Sequence, residues 1–466
     1  MKSFAIKISA CVATCSALLF TGCKKGNEYY SNPNLPTNAT VQSLLTALEV
    51  STMNSYESDI ARTTSTLVQH SAGVDNVAIQ ANNYSLSESQ LDPSWSQLYQ
   101  AINTGETLVD KAAGSPRYKG IAKIFLALNW GLLTDIWGDI PYTEAVSTVR
   151  FPRYDSQEDV LNGIQTLLDE AIIDLQSANA DNITITGADD LIFSGDAGKW
   201  TKTAWTLKAR YLNRLSNKAG YNPTAILDAL SKGIALSTDD CMAKHGKSGT
   251  ESNQWWAFMR QRTTYFRAAK PFVDSIALRP ADARLTKYFH PYNGSIVGSP
   301  IDATTQSASG WGSYLIGATD DAGTPFLEGN AENAAPLVTS VEALFIAAEV
   351  FARQDNVLKS TALNNAIKAS CTKVTGNPSA GDAIANYTPV NTNLSRVMYE
   401  KWIAMFGQCE AYSDYRRTGM PSLGLNINGT TQGHVIPKKF PTPLSERTSN
   451  PNAPTVSVID PVWWAQ

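Results

Sequence analysis

The chain has 466 residues, with 38 Lys and Arg against 42 Asp and Glu and a formal net charge of −4. That mild acidity gives no global attraction to nucleic acid or anionic lipid, and the length leaves room for a large core. The histidines (His70, His245, His290 and His434) never fall at metal-ligand spacing, and no Cys-x-x-Cys occurs, so no metal or cofactor site built from a local motif is expected.

The chain opens with a positive segment containing Lys2 and Lys7, followed by apolar or small residues from Ile8 to Phe20. This span is too short for a stable transmembrane helix and has the form of a signal-peptide core. Leu19-Phe20-Thr21-Gly22-Cys23 then resembles a bacterial lipobox, with Phe20 where leucine is usual. Cleavage before Cys23 and acylation of its thiol would tether a soluble domain to a lipid bilayer. The alternative is an ordinary secretion signal with an incidental cysteine. Cys11 and Cys15 would leave with the leader. Cys241, Cys371 and Cys409 are too few and too widely spaced for a disulfide framework and are expected as buried thiols, with a single bridge as the alternative.

Residues 24–38 are polar and rich in Asn and Pro, and a tether followed by a cap is expected there. Val41, Leu44, Leu45, Leu48 and Met53 mark a helix from Val41 to about Ala61, and residues 71–92 have a loop-like composition. A second helix is expected over about Ser94 to Lys111. The third is the clearest: Tyr118, Ile121, Ala122, Phe125, Leu128, Leu132, Leu133 and Ile136 recur at three and four, between Pro116 and Gly138-Asp139-Ile140-Pro141. Further helices are expected over about 157–175, 201–218 and 223–230. From Thr238 to Ser340 the chain is rich in Gly, Ser, Asn and aromatics, with irregular structure expected. Helical rhythm returns over 340–353, 361–368 and 394–417, and the tail is proline-rich. Short strands are expected only near 183–185 and 435–436. Helix–turn–helix pairs of this kind stack as tetratricopeptide-like units, although no repeat signature is visible.

Several runs, taken in order, resemble the SusD/RagB family of outer-membrane lipoproteins of the Bacteroidota. They are Asn32-Pro33-Asn34-Leu35-Pro36-Thr37, Trp95-Ser96-Gln97-Leu98-Tyr99, Asp135-Ile136-Trp137-Gly138-Asp139-Ile140-Pro141-Tyr142, Gly195-Asp196-Ala197-Gly198-Lys199-Trp200, and Tyr415-Arg416-Arg417-Thr418-Gly419-Met420-Pro421. The resemblance covers nearly the whole chain. It implies an all-α, tetratricopeptide-like scaffold with a large irregular loop-rich insertion. It implies a lipid-anchored protein at the cell surface that binds a glycan, or less often a peptide, and delivers it to a SusC-type TonB-dependent transporter without chemistry. The expected layout is a signal peptide over 1–22, a tether over 23–38 and a single domain over 39–466. Within the domain, the scaffold occupies about 39–237 and 336–422, the insertion 238–335 and the tail 423–466.

Trp137, Trp200 and Trp205 lie within or at the end of helix patterns, and Trp95, Trp402, Trp463 and Trp464 sit in runs that the family resemblance covers, so all seven are expected in the core. Glu410 and Asp414 lie four apart on one helix. A glycosidase needs two carboxylates roughly 5–9 Å apart, but Arg416 and Arg417 stand beside these two and make ion pairs the better reading. The insertion differs, because flat rings among amides and guanidinium groups suit sugar faces and hydroxyls. Trp255, Trp256, Arg260, Tyr265, Tyr292, Trp311 and Tyr314 are the ligand-binding candidates there, with Trp256 and Trp311 foremost for a neutral or weakly charged oligosaccharide. Asp75, Asn76 and Tyr84 form a second candidate wall. The competing reading is that the insertion's aromatics make its own small core. A lipid-anchored glycoside hydrolase and a non-catalytic adhesion protein are the alternative functions.

Overall fold

The computed structural model describes residues 39–177, 183–292, 294–302, 313–315 and 331–466. Cys23 and Trp311 lie outside them. Helix α1 (Val41–Glu57) is followed by α2 (Asp59–Leu67), strand β1 (Ser71–Gly73) and α3 (Ala78–Asn82). The expected first helix is therefore longer than its pattern indicates and is broken at Ser58. Next come α4 (Asp92–Lys111), α5 (Pro116–Trp137), α6 (Gln157–Leu175), α7 (Ala197–Arg214) and α8 (Pro223–Lys232). These lie close to their expected positions. The insertion contains β2 (Cys241–Ala243), α9 (Gln254–Gln261), β3 (Phe266–Ala268), α10 (Lys270–Ala277), α11 (Leu285–Tyr288), β4 (Phe289–His290), β5 (Tyr314–Leu315) and β6 (Ala335–Val338). The second helical block is α12 (Ser340–Arg353), α13 (Lys359–Thr375), α14 (Leu394–Ala404) and α15 (Cys409–Thr418), and the tail carries α16 (Leu444–Ser449).

Helices neighbouring in sequence pack on one another: α4 on α5, α5 on α6, α6 on α7, α7 on α8, and α12 on α13, while α1 closes against α4. The result is the repeat-like helical stack expected from the sequence. Helix α5 is buried along almost its whole length, since it has neighbours on both sides. Gly131 is needed where the Tyr211 ring crosses it, because a Cβ there would lie 1.9 Å from the Tyr211 hydroxyl. Gly138 ends the helix at φ +85°. Trp137 is buried beside it, edge-on to Trp95 at 5.2 Å, and donates its indole N–H to the Pro441 carbonyl at 3.0 Å. Asp139 accepts from the Gln157 amide at 2.8 Å and so adds to the Ser156 cap at the start of α6.

Three sequence expectations change. The run 394–417 is two helices rather than one, since Gly407 sits at φ +72° between α14 and α15 and the Gly407 amide donates to Nδ1 of buried His70. His70 hands its other nitrogen to the Trp402 carbonyl at 2.9 Å, and burial pushes its pKa down to about 3, so the ring is neutral. The segment 71–92 is not an open loop, because β1 pairs antiparallel with β3 and Ala72, Val74 and Ala81 are buried. Its small residues and three-residue strand leave no alternation to detect. Strands do not form at 183–185 or 435–436. The ladders instead join β1 to β3, β2 to β6 and β4 to β5.

Tryptophans 95, 137, 200, 402 and 464 are buried as expected, whereas Trp205 and Trp463 are only partly so. Cys241, Cys371 and Cys409 are buried free thiols. Burial pushes the Cys371 and Cys409 thiols up to about 11 and about 12, so neither is a nucleophile near neutrality.

Candidate functional site

The β1–β3 ladder decides where the two expected ligand walls stand. Ser71 faces Ala268 and Gly73 faces Phe266, and the Val74 amide continues the ladder to the Tyr265 carbonyl at 2.9 Å. Gly73 is required there, since a Cβ would lie 2.0 Å from the Ala78 carbonyl oxygen. Asp75, at the end of β1, accepts from the Thr264 hydroxyl at 2.6 Å. Asp75 and Tyr265, 190 residues apart in numbering, are thereby brought to one place. Thr264 makes the link, and sequence reasoning missed it because a lone threonine carries no signal.

Helix α9 supplies the aromatic side of the same region. Asn253 caps it by accepting from the Trp256 amide at 3.0 Å. Phe258 meets the Tyr265 ring at 5.7 Å and the Phe266 ring at 5.7 Å. Trp255 turns toward Phe266, with ring centroids 6.2 Å apart. Trp256 is half-buried, with the Arg260 guanidinium 5.5 Å from its ring centroid. Tyr292 is half-buried beside the small bridge it forms with Ser295. Tyr314 is placed by its backbone, opposite His290 in the β4–β5 ladder, and Ser313 accepts from the Ala268 amide at 2.9 Å.

Not every aromatic of the insertion faces outward. Tyr288 and Phe289 are buried and pack with Phe272 and Phe406, the Tyr288 and Phe406 rings stacking at 4.4 Å. These make the insertion's own core. Tyr84 is also buried, 4% exposed at φ +58°, and its hydroxyl accepts from the Asn426 amide at 3.2 Å. As placed, it braces the 75–84 loop against the tail and offers no open face. Asn426 completes the brace by donating to the Asn82 carbonyl at 2.7 Å. Asn76, at φ +50°, is exposed.

A cavity of about 640 Å³ lies where the insertion meets the helical stack, lined among others by Glu57, Trp255, Lys287, Leu337, Lys373 and Phe406. Its size and mixed lining suit a small-molecule site. Glu57 ends α1 and is buried there. It pairs with Nε2 of His245 at 3.0 Å and also accepts from the Gln254 amide that begins α9. Burial opposes a charge on His245, but the Glu57 carboxylate outweighs it and holds the imidazole above its ordinary pKa. This pair therefore fastens the start of the aromatic helix to the stack.

Glu410 reaches the lining of this cavity and Asp414 does not, but neither acid is free. Glu410 is locked to Arg214 and lies 3.6 Å from Arg210, and Asp414 is held by Lys401 and Arg417, each at 2.7 Å. Although burial alone would raise it, Arg214 and Arg210 keep Glu410 well below the usual carboxylate range. An acid so held has neither the proton nor the freedom that glycosidic cleavage needs. Among the described residues no group of three His, Cys, Asp or Glu is placed to hold a metal, and no helix is long and apolar enough to cross a membrane.

Residues 33–443 match the SusD-like family model described as starch-binding associating with outer membrane. No curated protein matches the chain. Among solved structures, a SusD/RagB family protein from Bacteroides thetaiotaomicron is similar with a TM-score of 0.78 at 23% identity, over 92% of this chain and 99% of that one. A chitin-binding SusD homologue from Flavobacterium johnsoniae gives 0.76 at 19% identity, over 91% and 98%. A SusD homologue from Bacteroides fragilis gives 0.73 at 19%, over 92% and 100%.

Proposed function

The chain belongs to the SusD-like family, and from that premise we propose that it is a non-catalytic, lipid-anchored protein of the outer membrane. It binds a nutrient glycan on the outer face of the cell and delivers it to a SusC-type TonB-dependent transporter. The observation that carries the glycan reading is the β1–β3 ladder, which joins the Asp75 loop to the aromatic helix α9. The ladder supports a single surface on which Trp256, Tyr265 and Tyr292 offer ring faces while Asp75, Asn76 and Arg260 offer polar groups. Trp255 would extend that surface into the adjoining cavity, and Trp311 and Tyr314 remain proposed members from the sequence alone. Sugar recognition needs this pairing of flat apolar faces with fixed hydrogen-bonding groups. The site stands on the insertion, so its specificity can vary without disturbing the helical stack. The Flavobacterium relative is described as chitin-binding, which supports a glycan over a peptide.

Trp256→Ala should weaken binding of the cognate glycan by about 2 kcal/mol, roughly thirtyfold in Kd, with unchanged circular dichroism. Calorimetry decides it: equal affinity in the variant would remove α9 from the site. Anchoring has its own check. Cys23→Ala should leave the membrane fraction and take up no labelled fatty acid, and continued acylation would refute Cys23 as the lipid carrier.

A further inference from the structure

Two cations beside the aromatic helix have no acid of their own. Arg260 lies in the last turn of α9 and Arg262 just beyond it. The Arg260 guanidinium stands over Trp256, and that of Arg262 lies 5.0 Å from the Phe258 centroid. A cation–π contact of this kind holds the guanidinium beside the ring and uses none of its N–H donors. Among the described residues, neither has a carboxylate partner. Arg262 donates to the neighbouring Gln261 side chain at 3.2 Å, and Nη1 of Arg260 is buried without any acceptor. A favourable position at a helix C-terminus explains the charge of Arg260. It does not explain an unsatisfied donor, which is costly and uncommon in folded proteins.

Three acids on the neighbouring elements are already engaged. Glu57 holds His245, Asp59 pairs with Arg62 at 2.7 Å, and Asp75 takes the Thr264 hydroxyl. At the cavity wall, Lys373 is neutralised by Asp240 at 2.6 Å. Lys287, exposed on that wall, has no carboxylate partner among the described residues. An acidic protein thus carries cations without carboxylate partners around its candidate site, two of them planar forks held beside aromatic rings.

Building on the glycan reading, we propose that the ligand is an acidic oligosaccharide bearing carboxylate groups. The Arg260 and Arg262 forks take those carboxylates through paired N–H bonds, while the sugar faces lie on the neighbouring rings. This replaces the neutral or weakly charged ligand expected from the sequence.

The test is calorimetry of the full chain with trigalacturonate, against maltotriose and chitotriose as neutral probes and a sulfated disaccharide as a second anion. Trigalacturonate should bind, and Arg260→Gln and Arg262→Gln should each weaken it at least about tenfold, as for loss of a charge-assisted contact. Arg262→Lys should restore only part of the affinity, because it returns the charge without the fork. Lys287→Gln, on a separate element, should weaken binding too, which keeps the test open if an α9 variant misfolds. A neutral trisaccharide binding as tightly, and indifferent to Arg260→Gln, would overturn the proposal and leave the glycan reading standing. Binding of the sulfated probe alone would overturn the carboxylate assignment. Silence toward a wide glycan panel would instead remove the glycan reading itself.

Discussion

Arg417→Met should lower the stability of the fold by about 3–5 kcal/mol, the usual result of removing one partner from a buried ion pair. Arg417 is fully buried and makes a two-pronged contact with Glu349 and a 2.7 Å contact with Asp414. Glu349 is shared with Arg353 at 2.9 Å and Asn213 at 3.0 Å, and Asp414 with Lys401. The network therefore fastens α7, α12, α14 and α15 to one another. Methionine fills much of the volume but leaves buried carboxylates with too little compensating charge. Burial raises the Glu349 pKa while Arg417 lowers it further, so the net shift is downward and the group stays ionised. Urea unfolding followed by tryptophan fluorescence measures the loss. A change below about 1 kcal/mol would show that water reaches the network.

Glu49→Gln should have the opposite sign and depend on pH. Glu49 is fully buried on α1 beside Asp190, and it accepts from the Leu191 amide at 2.8 Å. Asp190 already takes the amides of Ile192, Phe193 and Gly195 and the Trp200 indole N–H. Burial first, and the Asp190 charge second, push the Glu49 pKa up to about 10. The folded state thus keeps a proton that the unfolded chain has lost above its ordinary carboxyl value. The contribution of Glu49 to stability is therefore fully present below its ordinary carboxyl value and falls as pH rises toward about 10, by up to roughly 1.4 kcal/mol per unit. Glutamine keeps a donor for Asp190 and an acceptor for Leu191 but cannot ionise. At pH 8 it should stabilise the fold on the order of a few kcal/mol, and the pH dependence of the melting temperature between pH 5 and 9 should flatten. An unchanged profile would mean that Glu49 is ionised in the folded protein.

The helical stack was legible because its signals are local. The recurrence in α5, the glycine stop at Gly138 and the Asp196 cap on α7 each lie within a few residues of what they control. The run Asp414 to Gly419 has an equally local logic. Asp414 pairs with Arg417, the Thr418 hydroxyl returns to the Asp414 carbonyl at 2.8 Å, and Gly419 caps the helix at φ +68°. Arg416 lies over Tyr412 and Trp464, which ties the helix to the end of the chain. The site was less legible. The residue types were visible, but the ladder that joins Asp75 to Tyr265 is three residues long and made of Ser, Ala and Gly on one side. Tyr84 shows the converse difficulty, since a tyrosine in a polar segment has the same signature whether it faces a ligand or braces a loop.

The most direct measurement is calorimetry of the purified full chain against a panel of oligosaccharides, with each mixture then analysed for new reducing ends. Binding of at least one glycan, with the oligosaccharide recovered intact, is the predicted result. Release of shorter products, or binding to none of the panel, would contradict the account.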